Sequence, residues 1–231
     1  MIGMDETGDQ QALDRTAPGW TELLPLDRFN AFSDGVFAIA ITLLALELTV
    51  PVASERLLSA LVEQWPEFLG YFISFAFIGG MWLTHARMTR LMKQGDAAVF
   101  GINLLVLLFI GVLPFTTSLM VRNLSGPDVE VAVLVYGINV LIASLLLSFL
   151  LVYIARDRRL VEDEVADDTL AAIARRRWAA IGVEVIAILC ALIVPMVAVA
   201  LYLAATLLLL IAPLVRLHRS RGQANPPTPR R

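Results

Sequence analysis

From Trp178 to Leu217 the sequence is apolar for forty residues, with Glu184 and Arg216 its only charges. A single helix of that length would measure about 60 Å, twice the ~30 Å hydrocarbon thickness of a bilayer. Pro195 divides the run, so it reads as two crossings, 178–194 and 196–217, joined by a tight turn. Further apolar runs lie at 26–50, 66–86, 97–120 and 131–155. The chain is 58% apolar, against roughly 45–50% in a soluble domain, and the excess sits in these runs. The expected fold is an all-α integral membrane protein, a single repeat of six transmembrane helices over 25–218. Polar tails at 1–24 and 219–231 are expected to be disordered and cytosolic.

The segments between the runs carry their own signals. Apolar residues at Leu57, Leu58, Leu61, Val62 and Trp65 alternate with polar ones at helical spacing, too short to span. An interfacial helix over 54–65, with Trp65 at headgroup level, is expected. In 156–177 acidic residues precede Arg175, Arg176 and Arg177, which suits the dipole of a short cytosolic helix. Residues 1–25 show no short apolar core behind a basic start, so no cleavable signal peptide is expected. The lone Cys190 excludes an intrachain disulfide and a multi-cysteine metal site. With six spans both termini share a side. Sixteen of the eighteen basic residues then fall on that side, leaving Arg56 and Arg122 opposite. The positive-inside rule makes it the cytosol.

The first run places charges where lipid would not tolerate them. Only twelve uncharged residues separate Asp34 from Glu47, about 18 Å of helix. These groups are expected to face protein or a water-filled path. Taking Ile39 as zero, Thr42, Leu43 and Leu46 fall at about −60°, +40° and −20°, one aliphatic stripe with one hydroxyl. Ser33 and Asp34 fall at about +120° and −140°, behind it. Such a stripe either packs against neighbours or lipid, or lines something.

The stretch Arg28-x-x-x-Phe32-Ser33-Asp34 followed by Gly-Val-Phe-Ala-Ile-Ala-Ile-Thr-Leu-Leu-Ala-Leu-Glu-Leu resembles the first-helix signature of the transmembrane protein 175 potassium channels. The likeness continues more loosely through Trp82-Leu-Thr-His85, Asn103-Leu-Leu and Leu113-Pro114-Phe115-Thr116. It implies a potassium-permeable cation channel whose pore is lined by the first helix, without a carbonyl filter. The resemblance puts the aliphatic constriction on Ile39, Leu43 and Leu46, and potassium preference on Thr42. One repeat per chain implies a homotetramer, with K⁺ as the permeant ion and no cofactor.

Asp34 needs a partner, and His85 and Asn103 lie at matching depth on the second and third spans. A clamp of Arg28, Ser33, Asp34, His85, Asn103 and Trp82 holding the first helix is therefore expected. Glu47 at the outer mouth either concentrates cations or pairs within the bundle; Glu184 is expected to pair or snorkel. Gly79-Gly80 is read as a close helix contact. Ser33, Asp34 and His85 match a catalytic triad in type only. Adjacent helix positions diverge by about 100°, so Ser33 and Asp34 cannot both serve one histidine. No metal spacing or phosphate loop is present, so an enzyme is not expected. A small secondary transporter or a non-conducting structural membrane protein is the alternative.

Overall fold

The computed structural model describes residues 26–49, 57–162 and 167–207, and within them the chain is helical apart from short connections. The helices are α1 (Asp27–Leu46), α2 (Leu57–Glu63), α3 (Trp65–Thr89), α4 (Ala97–Arg122), α5 (Val129–Arg156), α6 (Asp167–Ala191) and α7 (Pro195–Leu207). Four of them, α1, α3, α4 and α5, are long and apolar enough to cross a membrane. The expected tails at 1–24 and 219–231, and the end of the sixth span after 207, lie outside the described residues.

Local chemistry sets the ends. The Asp96 carboxylate caps α4 by accepting the Val99 amide at 2.9 Å. Pro66 stands in the first turn of α3, where its missing N–H costs nothing. That proline moves Trp65 from the expected interfacial helix, which closes at Glu63, onto the membrane helix. No proline interrupts 167–191. The expected separate cytosolic helix and the fifth span accordingly run together as α6. Helix α6 stops at Ala191, and Pro195 opens α7, which puts the turn where the sequence places it.

Helix α5 sits between α4 and α6, and α4 also carries α3 and α1. Helix α1 therefore docks on the α3–α4 pair, at one flank of the bundle. Ile73, Phe77, Ile78, Met81, Ile110, Leu113, Tyr136 and Leu147 fill the interior. Helices α3 and α4 approach closely at Gly70, where a Cβ would meet the Val121 side chain and lie 3.3 Å from Thr117 Cγ2. Of the expected Gly79-Gly80 contact, Gly80 is buried, whereas a Cβ on Gly79 would meet nothing within 4 Å.

At one end of the bundle two connections join. Met92 and Val161 form an antiparallel bridge, with Lys93 N–H donating to Leu160 O at 3.0 Å and Glu162 N–H to Leu91 O at 2.9 Å. Met92, Leu160 and Val161 are buried beneath it.

Candidate functional site

Helix α1 has two unlike faces. Phe29, Ser33, Phe37, Ala40 and Leu44 are buried at spacings of four and three, which is the period of a helix with one docked side. On that side one serine does two jobs. Ser33 Oγ donates to Phe29 O at 2.9 Å and accepts from Asn103 Nδ2 at 2.9 Å. Asn103 Oδ1 lies 2.9 Å from His85 Nε2. An amide oxygen can only accept, so Nε2 of His85 carries the hydrogen. The imidazole lies between two rings of α1, stacked on Phe29 at 5.7 Å and tilted against Phe37 at 5.7 Å. Phe29 in turn meets Phe100 edge-on at 4.9 Å. Ser33, His85 and Asn103 are all buried, so α1, α3 and α4 are joined by a closed polar chain inside an apolar packing layer.

The remaining members of the expected clamp stand apart from this chain. Asp34 is exposed, and its Oδ1 accepts from Trp82 Nε1 at 2.8 Å. Among the described residues Arg28 is exposed and no hydrogen bond or ion pair joins it to Ser33, Asp34, His85 or Asn103. Helix rotation is the reason. Asp34 is turned about 100° from Ser33 and Arg28 about 140°, so a cluster compact in sequence fans out around the axis. The six expected residues thus resolve into a buried triplet, an exposed pair and a separate arginine.

The opposite face carries Ile39, Leu43 and Leu46, which are 59%, 42% and 78% exposed on the subunit, with Thr42 exposed between them. The Thr42 hydroxyl donates back to Ile39 O at 2.8 Å, so its oxygen lone pairs point away from the helix. This face is longer than the stripe read from sequence. Phe32, 55% exposed, and Arg28 both lie within about 20° of the Ile39 line. They carry the same face about two and three turns toward the start of the helix. A count continued backward from Ile39 by seven and eleven residues would have found both.

Glu47 takes the second of its two sequence readings. Its Oε2 accepts from Ser118 Oγ at 2.8 Å and lies 3.5 Å from the Arg122 guanidinium, while Arg122 Nε donates to Ser118 Oγ at 2.9 Å. Glu184 pairs inward: Ser144 Oγ donates to its Oε1 at 2.8 Å. Two turns earlier on the same face of α6, Arg177 is buried. Its Nε donates to Ser148 Oγ at 3.2 Å and its Nη2 to Ser144 O at 2.9 Å. Arg177 is counted among the loop arginines in the sequence. Its seven-residue spacing from Glu184, with Trp178 beginning the apolar run, is the signal that separates it from Arg175.

With these faces in place, similarity to known proteins is informative. The family described as endosomal/lysosomal potassium channel TMEM175 matches residues 28–114, which include α1, α3 and most of α4. A potassium channel of Streptomyces collinus is 37% identical over 158 residues, covering 67% of this chain and 76% of that protein. A potassium channel of Chamaesiphon minutus is 45% identical over 114 residues, and the chain spans 56% of that relative's length. The crystal structure of a lysosomal potassium-selective channel TMEM175 homolog from Chamaesiphon minutus superposes with a TM-score of 0.70 at 33% identity, over 79% of this chain and 94% of that one. Shared folding over nearly the whole of that structure, and shared sequence through the helices that carry both faces of α1, show that the chain belongs to the TMEM175 channel family.

Proposed function

We propose that this chain is one subunit of a homotetrameric, potassium-permeable cation channel of the cell membrane, with both termini cytosolic and α1 of each subunit lining the pore. The observation that carries this reading is the asymmetry of α1. One face is pinned by buried hydrogen bonds, while the face bearing Ile39, Thr42, Leu43 and Leu46 is left uncovered by its own subunit. An uncovered aliphatic face on a fixed helix is what a ring of copies around an axis requires. That the Streptomyces and Chamaesiphon relatives are potassium channels supports K⁺ as the permeant ion.

The mechanism follows from the side chains. Rings of Ile39, Leu43 and Leu46 exclude liquid water when close and act as a dewetting gate. A small outward rotation of α1 admits a partly dehydrated cation, which favours K⁺ over the more strongly hydrated Na⁺. Thr42 supplies oxygen at that level, because its own proton is engaged by the Ile39 carbonyl. The fixed side of α1 keeps the four copies of the stripe in register.

The test is planar-bilayer recording of the purified protein under a K⁺ gradient, with Na⁺ and Cs⁺ substitution. Unitary K⁺ currents are expected, and Ile39→Ala is expected to raise conductance and lower K⁺/Na⁺ selectivity. A saturable flux without resolvable unitary currents would identify a carrier. Conductance and selectivity unchanged in Ile39→Ala would remove Ile39 from the pore.

A further inference from the structure

The end of the bundle that carries the Met92–Val161 bridge also gathers three guanidinium groups. Arg87 stands in the last turn of α3, Arg90 caps that helix, and Arg156 closes α5. All three are exposed, and among the described residues none of them makes a hydrogen bond or an ion pair. Of the described acids in the two connections, Asp96 accepts the Val99 amide on one oxygen and the Tyr153 hydroxyl, at 2.7 Å, on the other. Asp157 is held by Arg159. Glu162 is exposed and pairs with none of the three arginines.

Each helix leads an uncovered apolar stripe to these arginines. On α3, Phe72 lies on the line of Arg90, and Phe68, Phe75, Gly79 and Arg87 lie within about 60° of it. The three rings are exposed, and the open space at Gly79 leaves a notch between them and the arginines. On α5, Val131, Ile138, Leu145 and Phe149 are exposed and lie within about 20° of the Arg156 line. The bridge laces the connection after Arg90 to the connection after Arg156, so both stripes finish on the same side of the bilayer. We propose that this end of the protein binds anionic phospholipid, with headgroup phosphate on Arg87, Arg90 and Arg156 and acyl chains along the two stripes. Guanidinium groups take phosphate oxygens in pairs, and arginine stems lie along apolar surface while their heads stay at headgroup level. A zwitterionic headgroup brings its own ammonium group to the same arginines and is held less well. The site requires only that the chain spans a bilayer and is independent of conduction.

Native mass spectrometry of the full chain, released from detergent micelles supplied with dioleoyl phosphatidylglycerol or dioleoyl phosphatidylcholine, counts the lipids retained. The wild type is expected to retain phosphatidylglycerol in preference to phosphatidylcholine at equal concentration. One arginine beside an anionic headgroup is worth about fivefold in affinity, so Arg156→Gln is expected to weaken phosphatidylglycerol by that factor and Arg87→Gln with Arg90→Gln by about 25-fold. Glu162→Gln is expected to strengthen retention by removing a repelling charge. Arg122→Gln, at the other end of the bundle, also removes one positive charge and is expected to leave retention unchanged. Equal retention of the two lipids by the wild type overturns the site and leaves the stripes to contacts between subunits. Unchanged retention in the Arg87 and Arg90 double variant overturns it. So does a loss in Arg122→Gln as large as in Arg156→Gln, the mark of diffuse attraction to a basic surface. Should the double variant fail to give a monodisperse protein, an unchanged or weaker retention in Glu162→Gln overturns the site.

Discussion

Replacing Asn103 by leucine should loosen α1 from its two neighbours by an amount the structure allows one to work out. Asn103 donates to Ser33 and accepts from His85, both at 2.9 Å and both buried. Interhelical hydrogen bonds in membrane proteins average about 0.6 kcal/mol, so two of them contribute about 1.2 kcal/mol. Ser33 still donates to Phe29 O and is left without a cost as donor. His85 Nε2–H has no such second partner and becomes a buried orphan, at about 1–3 kcal/mol. The expected loss is therefore about 2–4 kcal/mol, most of it from the histidine. Reversible unfolding in mixed micelles or steric trapping in lipid measures it. The decisive variant is the double substitution Asn103→Leu with His85→Phe, which removes the orphan and keeps a ring between Phe29 and Phe37. It should recover at least about 1 kcal/mol relative to the sum of the single changes. A loss under about 0.5 kcal/mol in Asn103→Leu, or strict additivity in the double variant, would refute the view that this chain fastens the helix.

Arg177→Met should cost about 1–3 kcal/mol by removing the charged, buried hydrogen bonds from its guanidinium to Ser148 Oγ and Ser144 O; the same unfolding assay reads it, and a loss under about 0.5 kcal/mol would take Arg177 out of the packing of α6 on α5. Phe32→Ala should alter unitary conductance or rectification while leaving unfolding stability within about 0.5 kcal/mol, since the ring is 55% exposed on the subunit; an unchanged single-channel current would take Phe32 off the ion path. In the connection after α5, the Arg159 guanidinium at 2.6 Å and the Arg159 amide hold the Asp157 carboxyl below its ordinary value of 3.8. A depressed carboxyl stabilises the fold above that ordinary value, and the contribution is lost as pH falls through the lower folded value. Amide protection at Leu160 and Glu162 should accordingly decline only below about pH 3.8, and a decline centred nearer neutrality would point to another group.

The ends of α3, α4 and α5 were readable within a few residues because apolar runs and the Asp96 cap mark them, whereas α6 begins at Asp167 rather than at 178 because no proline stops it there. What was not readable follows from rotation and from partners. Arg28, Ser33 and Asp34 look like one cluster in the sequence, yet 100° per residue sends them to three sides of α1. Ser33 and Asp34 were separable on paper by that angle, but which of them Asn103 and Trp82 would meet depends on how α3 and α4 are set against α1. Arg177 was hidden among loop arginines because its burial needs Ser144 and Ser148, which belong to a different helix. The buried pair Leu160–Val161 was masked by the charges on either side of it. The stripe of Ile39, Thr42, Leu43 and Leu46 came from spacing alone, and only its downward extension was overlooked.

The bridge between Met92 and Val161 has a bearing on topology that charge counting does not supply. Two connections that exchange backbone hydrogen bonds must lie on the same side of a bilayer, because neither N–H nor C=O can reach its partner through hydrocarbon. The number of crossings between residue 93 and residue 160 is therefore even, which α4 and α5 satisfy as a down-and-up pair. Parity fixed in this way means that adding or removing loop arginines could invert the whole protein but could not flip α4 and α5 individually without breaking the bridge. The seam also has a timing: residues 91–93 emerge well before 160–162, so the bundle is latched only after the α4–α5 hairpin has fully returned.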